Sequence, residues 1–317
     1  MEYSRLGTTD LYISCVGFGC APIGGYDYGK VDDSESIKAI LTAIDHGINF
    51  FDTADVYGFG HSEEILGKAL SLSKQDIIVA TKFGINWDSD GKTWRDLSPK
   101  RVMDAVDNSL RRLKRDFVDL YQAHWPEKNT KTEDTFAVLM NCQKQGKIRY
   151  IGCSNYDLSA LYEMRNIYRI ESLQNPYNLL NRTIENNLLE YCKINRISFI
   201  AYSALARGFL SGKYGENCMF SGTDTRVKSK YFSNEYDDKK SLIISELKKI
   251  ALNNEKTLSQ IAIRWILDNL SVDCALVGLK NVEQVNDVVD SCGWKLSADD
   301  YERLSFLSEQ FIETKLY

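Results

Sequence analysis

The stretch Asn49-Phe-Phe-Asp-Thr-Ala-Asp-Val-Tyr-Gly58 decides the fold. It opens as a short apolar run of strand character and then turns polar, which leaves Asp52 at the tail of a buried strand and Tyr57 just beyond it. The same form recurs downstream. A run from Ile77 ends in Ala80-Thr-Lys-Phe83, and a run from Val118 ends in Tyr121-Gln-Ala-His-Trp-Pro126. An acid, a phenol, an amine and an imidazole thus stand at or past the tails of strand-like runs. Parallel strands closed into a barrel bring such tails to one mouth.

The rest of the chain extends this pattern. Arg5-Leu-Gly-Thr-Thr-Asp-Leu11 separates two short alternating runs and predicts an N-terminal β-hairpin. Strands are then predicted over 15–19, 49–53, 77–83, 118–124, 150–154, 172–175, 198–203 and 275–278. Helical periodicity falls between them, notably over 34–46, 62–70, 99–113, 132–145 and 184–195, and a further helix over 299–310 follows the last strand. Ser98-Pro99 has helix-start chemistry, while His46-Gly47 and Gln145-Gly146 read as helix ends. Strands alternating with helices to this number predict an α/β fold, a (β/α)8 TIM barrel with an N-terminal hairpin and extra C-terminal helices. No Pro/Gly/Ser-rich linker divides the chain, so residues 1–317 read as one barrel domain. The polar segment from Arg207 to Lys240 follows the seventh strand and reads as a long binding loop on the catalytic side.

Composition excludes several classes. A net charge of −5 without basic clusters gives nothing for nucleic acid to bind. No apolar run reaches bilayer length, and Met1-Glu-Tyr-Ser-Arg5 has no signal-peptide character, so a cytoplasmic protein is expected. Eight cysteines lie scattered without a Cys-x-x-Cys pair and read as reduced thiols. Three histidines and no His-Glu-x-x-His leave no metal site to predict.

The polar strand tails suit proton transfer. A free phenol has a pKa near ~10 and is a poor acid at neutral pH. A neighbouring ammonium stabilises the phenolate, which makes Tyr57 a usable general acid if Lys82 supplies that charge and Asp52 orients the lysine. His124 would then direct a substrate carbonyl. Taken singly, a strand-end Asp or Lys is a structural ion pair more often than a catalyst, and a single Tyr is packing; their shared placement is what favours function.

Gly17-Phe-Gly-Cys-Ala-Pro22 begins like a dinucleotide fingerprint, but Pro22 takes the place of its third glycine, which argues against a Rossmann domain. Anion-binding signals come later, in Ala206-Arg-Gly-Phe-Leu-Ser-Gly-Lys213 and in Gly278-Leu-Lys-Asn-Val-Glu-Gln284. The second opens a helix, whose N-terminus beside Lys280 would suit a phosphate.

Together these segments, from Gly17 to Trp294, resemble the aldo-keto reductase superfamily, and within it the bacterial branch of general-stress and sugar-type oxidoreductases. The resemblance rests on Asp-Thr-Ala-x-x-Tyr-Gly, on Ser62-Glu-Glu-Ile-Leu-Gly67, on His-Trp-Pro, and on Gly152-Cys-Ser-Asn155, Ala206-Arg-Gly208 and Ala262-Ile-Arg-Trp-Ile-Leu-Asp268. It implies a catalytic tetrad of Asp52, Tyr57, Lys82 and His124 and an NADPH cofactor. Ser154, Asn155 and Gln174 would hold the nicotinamide carboxamide, and Tyr202 would stack on the ring. Ser203, Leu205, Arg207, Gly212 and Lys213 would wrap the pyrophosphate, and Gly278, Lys280, Gln284 and Asp287 would meet the adenosine end. Gly19, Cys20 and Asp52 complete the expected cofactor contacts, and Arg226 would belong to a closing loop. Tyr57, Trp87, His124 and Trp125 would wall the substrate pocket, with Trp94 a further candidate.

Two departures from the family pattern are visible. Lys280 stands where relatives usually carry Arg against the 2′-phosphate, which keeps the charge and loses the bidentate fork. Asp287-Val288 replaces the Glu-Asn pair that meets adenine in many relatives. The expected function is NADPH-dependent reduction of an aldehyde or ketone. Oxidation of a sugar or polyol by the same groups, a slow nicotinamide-binding regulatory subunit, and, more distantly, a Schiff-base aldolase or metal-dependent barrel enzyme using Lys82 remain the alternatives.

Overall fold

The computed structural model describes residues 1–26, 31–214, 220, 224–233 and 237–312; one of the eight cysteines, Cys218, lies outside them. Strands β1 (Tyr3–Arg5) and β2 (Tyr12–Ser14) form the predicted antiparallel hairpin. The barrel begins with β3 (Val16–Gly19), β4 (Phe50–Asp52) and β5 (Ile78–Phe83). A second hairpin, β6 (Ile85–Trp87) and β7 (Thr93–Arg95), leaves the end of β5. The barrel resumes with β8 (Val118–Ala123), β9 (Ile148–Ser154), β10 (Ser172–Pro176), β11 (Ser198–Tyr202) and β12 (Cys274–Gly278). β3, β4, β5, β8, β9, β10, β11 and β12 pair in that order, each parallel to its neighbour, and β12 returns to β3 to close the ring. The (β/α)8 barrel expected from the sequence is the fold.

Period-two alternation along the strands sorts the side chains. Phe50, Ile78, Ala80, Leu120, Ile200, Cys274 and Leu276 cluster apart from the main core and fill the barrel interior. Leu6, Leu11 and Ile13 of the first hairpin join that cluster, so the hairpin plugs the end where the strands begin. Phe18, Phe51, Val79, Phe83, Tyr121, Ile151, Leu173 and Phe199 point the other way, into the layer shared with the helices. Two residues on from Phe50 is Asp52, two on from Ala80 is Lys82, and two on from Leu120 is Gln122. Inward apolar positions therefore give way to inward polar ones as each strand reaches the far mouth. Gly17 makes room for this packing, because a Cβ there would lie 2.9 Å from the ring of Phe50 and 3.0 Å from Cys274.

The helices follow their caps. Ser98 accepts from the Arg101 amide ahead of the helix Pro99–Leu113, and Thr257 with Gln260 forms a full capping box on Leu258–Leu267. Three differences from the sequence reading have local causes. Hairpin β6–β7 carries an exposed second strand, so no alternating apolar signal marks it. The helix predicted over 184–195 splits into a 3-10 turn, Thr183–Asn186, and an α-helix, Leu188–Asn195, because Asn187 adopts a non-helical φ of −155° between them. The segment after β11 contains 3-10 turns at Ala206–Ser211, Thr225–Lys228 and Lys230–Phe232, and the helix Asp237–Asn253 begins before its predicted end at Lys240. Among the described residues no helix is long and apolar enough to cross a membrane.

Candidate active site

Asp52 and Lys82 face each other inside the mouth, from β4 and β5, and each is about 1% exposed. The ammonium donates to Asp52 Oδ1, to the Thr53 carbonyl at 3.0 Å and to the Tyr57 hydroxyl at 3.4 Å. Asp52 Oδ2 accepts from two buried amides, Gln122 Nε2 at 2.9 Å and Gln174 Nε2 at 2.8 Å. Two charges buried this deeply require that their remaining hydrogen-bonding capacity be met, and four strands contribute to meeting it.

Tyr57 reaches this group from a short turn after β4. Glycines set the turn close against the loop that follows β3: a Cβ on Gly58, whose φ is +58°, would come within 2.2 Å of the Gly24 carbonyl oxygen. Ser62 then hydrogen-bonds Thr53 at 2.9 Å and the Cys20 carbonyl at 2.8 Å. Buried Glu63 accepts from Thr81 at 2.6 Å and from Arg112 at 2.6 Å. The Ser-Glu pair that marks the sequence thus fixes the loop carrying Tyr57 to the neighbouring strands.

His124 lies at the end of β8, with its ring edge-on to that of Tyr57 at 5.7 Å between centroids. Burial, reinforced by the charges of Lys82 and Arg95, holds its pKa well below the ordinary 6.5, so the ring is neutral at physiological pH. Its Nδ1 is buried without a partner among the described residues. A neutral imidazole with spare hydrogen-bonding capacity suits an uncharged acceptor such as a carbonyl.

Tyr57 and His124 open into a cavity of about 700 Å³, within the range of small-molecule and cofactor sites. Asp52, Gly19, Trp125, Ser154, Asn155, Gln174 and Tyr202 line it at the same end. Asn155 donates to the His124 carbonyl at 2.9 Å and accepts from the Tyr202 hydroxyl at 2.7 Å. Ser203, Leu205, Arg207 and Gly278 continue the wall, and Lys213, Arg226, Lys280, Gln284 and Asp287 complete it. Burial lowers the pKa of Lys280, as do the charges of Arg226 and Lys213, against the opposing charge of Asp224. Arg226 is ion-paired with Asp224 at 2.6 Å, and the net positive charge contributed by Lys213 and Lys280 suits an anion. Lys280 precedes the helix Val282–Val289, as the sequence suggested, and Gln284 accepts from its backbone amide at 3.0 Å.

Four of the expected residues do not line this cavity. Cys20 is buried outside the cavity lining; its amide donates to the Asp52 carbonyl at 2.8 Å, so it serves the strand end. Gly212 closes the turn Ala206–Ser211 with a φ of +70° and does not line the cavity. Trp87 packs against Phe59 and beneath the Arg101 guanidinium and is not among the lining residues, and Trp94 sits exposed on β7. Gln122 was missed by the sequence reading, although it stands two residues before His124 on the same face. Asp55 was missed too. It is fully buried against Arg101 at 2.6 Å, and burial pushes its carboxyl up to about 7.

A (β/α)8 barrel with a buried acid–lysine pair, a tyrosine and a neutral histidine at one end of a cavity whose wall also carries cations defines a nicotinamide-type oxidoreductase of the aldo-keto class. The sequence pattern of the aldo/keto reductase family matches residues 16–309, and the chain belongs to that family. It is 36% identical over 315 residues to an aldo-keto reductase of Bacillus subtilis, covering 98% of this chain and 95% of the relative. It is 33% identical over 324 residues to an NADH-specific methylglyoxal reductase of Escherichia coli, covering 98% and 99%. The structure of a glycerol dehydrogenase from Gluconobacter oxydans superposes with a TM-score of 0.90 at 35% identity, covering 99% of this chain and 97% of the other. The chain is therefore an aldo-keto reductase family oxidoreductase.

The depressed pKa of His124 has a consequence for stability. The unfolded chain takes up a proton near 6.5 and the folded ring refuses it, so this residue's penalty is absent above that pH and grows as pH falls below it. Its slope is at most about 1.4 kcal/mol per pH unit. His124→Gln is expected to lose less stability than the wild type between pH 7.5 and 5 in urea titrations. Parallel profiles for the two proteins would remove the neutral, buried histidine from the account.

Proposed function

We propose that this protein reduces the carbonyl of a small aldehyde or ketone to an alcohol with NADPH, and that Tyr57 is the general acid. The observation that carries this reading is the Lys82 ammonium, held by Asp52 and standing 3.4 Å from the Tyr57 hydroxyl at the mouth of the cavity. A cofactor of this class supplies hydride to a carbonyl carbon, or takes it from an alcohol. Lys82 stabilises negative charge on the Tyr57 oxygen as its proton leaves, and Asp52 keeps the ammonium in place. Gln122 and Gln174 hold Asp52. His124, kept neutral, donates to the substrate oxygen and fixes its direction without competing for the proton.

The residues present fit a nicotinamide dinucleotide. Ser154, Asn155 and Gln174 offer amide and hydroxyl groups for a carboxamide beside the catalytic end, and Tyr202 offers an aromatic face. Ser203, Leu205, Arg207 and Lys213 border the middle, where the pyrophosphate would lie. Lys280, beside the ion-paired Arg226, supplies the positive charge that a 2′-phosphate needs, while Gly278, Gln284 and Asp287 border the adenosine. One N–H of the Gln174 amide goes to Asp52, which leaves its second N–H and its carbonyl oxygen to serve the carboxamide. Trp125, flanked by Arg95 at 4.7 Å, would wall the substrate side with Tyr57 and His124.

A second reading has its own support. The glycerol dehydrogenase with a similar barrel favours the oxidative direction, with a sugar or polyol as substrate and Tyr57 as the proton acceptor. The same geometry serves both directions. The free thiols of the described cysteines suit a cytoplasmic setting.

Tyr57→Phe is expected to lower carbonyl reduction by about 100- to 10,000-fold while binding of the reduced cofactor is retained, as read by fluorescence titration. Wild-type turnover in that variant would exclude Tyr57 as the acid. For the cofactor, the wild type is expected to bind NADPH more tightly than NADH, and Lys280→Ala to erase roughly 10- to 100-fold of that preference. Equal wild-type affinities, as the NADH-specific relative makes worth testing, would contradict the role given to Lys280.

A further inference from the structure

Cys15 immediately precedes β3, at the end of the barrel away from the cavity. Its Sγ lies 3.4 Å from the Sγ of Cys292, which follows the helix Val282–Val289, 277 residues later in the chain. Both backbones are tied down around the contact. The Cys15 amide donates to the Glu2 carbonyl at 2.9 Å, and the Cys15 carbonyl accepts from Ala275 on β12 at 2.7 Å. Glu2 reaches across with Oε2, which accepts from Arg264 at 3.0 Å and from the Gly293 amide at 3.3 Å and lies 3.7 Å from the Cys15 thiol. The Met1 thioether is 3.6 Å from Cys292. Two thiols fixed in contact by separate elements need only a small movement to bond.

The two sulfurs are not equivalent. Cys15 is buried, whereas Cys292 is partly exposed, and a Cβ built on the adjoining Gly293 would meet no atom within 4 Å. The hydrogen bond with Cys15 lowers the pKa of Cys292 against the opposing effect of burial, and raises that of Cys15. Burial raises the thiols of Cys20, Cys142, Cys153, Cys192 and Cys274, and all five are buried. Among the described cysteines Cys292 alone combines access with thiolate character, which is what peroxide reactivity requires.

We propose that Cys15 and Cys292 form a reversible oxidation site, with Cys292 the peroxide-reactive thiol and Cys15 the resolving one. In the first step the Cys292 thiolate attacks a hydroperoxide. The O–O bond breaks, an S–O bond forms, and the other oxygen leaves as water or an alcohol, giving a sulfenic acid. In the second step the Cys15 sulfur displaces hydroxide from that sulfenic sulfur, and its thiol proton completes a water molecule. The two thiols lose two electrons and the peroxide gains them; a dithiol reductant reverses the change. The bond formed would tie the start of β3 to the segment after the last barrel helix, restricting the unfolded chain over nearly its whole length. Because it lies away from the cavity, it would stabilise the barrel without altering the chemistry at Tyr57.

The test uses the full-length protein treated with one to a few equivalents of hydrogen peroxide, then quenched, denatured, alkylated and digested without reduction. A cross-linked peptide joining Cys15 to Cys292 is expected, reversed by dithiothreitol, with a higher melting temperature and unchanged turnover. In Cys15→Ser the sulfenic acid at Cys292 is expected to accumulate and be trapped by dimedone, while Cys292→Ser is expected to leave Cys15 unmodified. Full alkylation of both cysteines after peroxide would overturn the proposal. So would irreversible oxidation of Cys292 beside a free Cys15 in the wild type, or stoichiometric zinc or copper(I) bound by the pair with no cross-link after chelation.

Discussion

A lysine ammonium and an aspartate carboxylate, both shut away from water, set the terms for the rest of the molecule. Charges so buried cost several kcal/mol each unless paired and fully hydrogen-bonded. Asp52 and Lys82 meet that demand through Thr53, Gln122 and Gln174. These groups come from β4 and its end, β5, β8 and β10, which are brought around one point by closure of the ring. The register of the barrel, and the glycine at position 17 that lets Phe50 fill its centre, can be read as the support of this one pair. Its chemical yield is a fixed positive charge beside the oxygen of Tyr57.

The cavity extends that economy of placement along its wall. Its catalytic end is built on strand termini, which are rigid. Its cationic part is built on the turn after β11 and the N-terminal approach to a helix, where Ser203, Ala206 and Arg207 all take positive φ. Asn155, with a φ of +64°, does the same between His124 and Tyr202. Non-glycine residues in that region are strained, and they collect here along the wall where a long ligand would be gripped. Arg226 is neutralised by its 2.6 Å ion pair with Asp224, and Lys213 and Lys280 leave net positive charge on the same wall, which favours an anion there.

Much of this was legible in the chain. Asp52, Lys82 and His124 are polar residues at the tails of apolar strands, and period-two alternation alone puts each on the inward face. Ser154 and Asn155 are read through a family pattern, and both line the cavity. Gln122 was open to the same reasoning, two residues before His124, but a lone amide in a strand has no chemical signature until its partner is seen. Asp55 and Arg101 are 46 residues apart, and nothing in either segment announces the contact. Cys20 and Gly212 belong to segments that border the cavity but, like Trp87, do not line it themselves: the Cys20 amide bonds the Asp52 carbonyl, Gly212 closes a turn and Trp87 packs on Phe59. Cys15 and Cys292 are separated by almost the entire sequence, and only ring closure between β12 and β3 brings their neighbourhoods together.

Activation of Tyr57 by the Asp52–Lys82 pair, for proton transfer coupled to hydride transfer, is open to direct measurement. Single-turnover transfer of deuterium from C4-deuterated NADPH to a reactive aldehyde, comparing wild type with Lys82→Met, tests it most directly. Deuterium should appear on the product carbon with the wild type. In the variant, with cofactor affinity retained, transfer should slow by at least about 100-fold. Transfer at the wild-type rate in the folded, cofactor-binding variant would contradict the account.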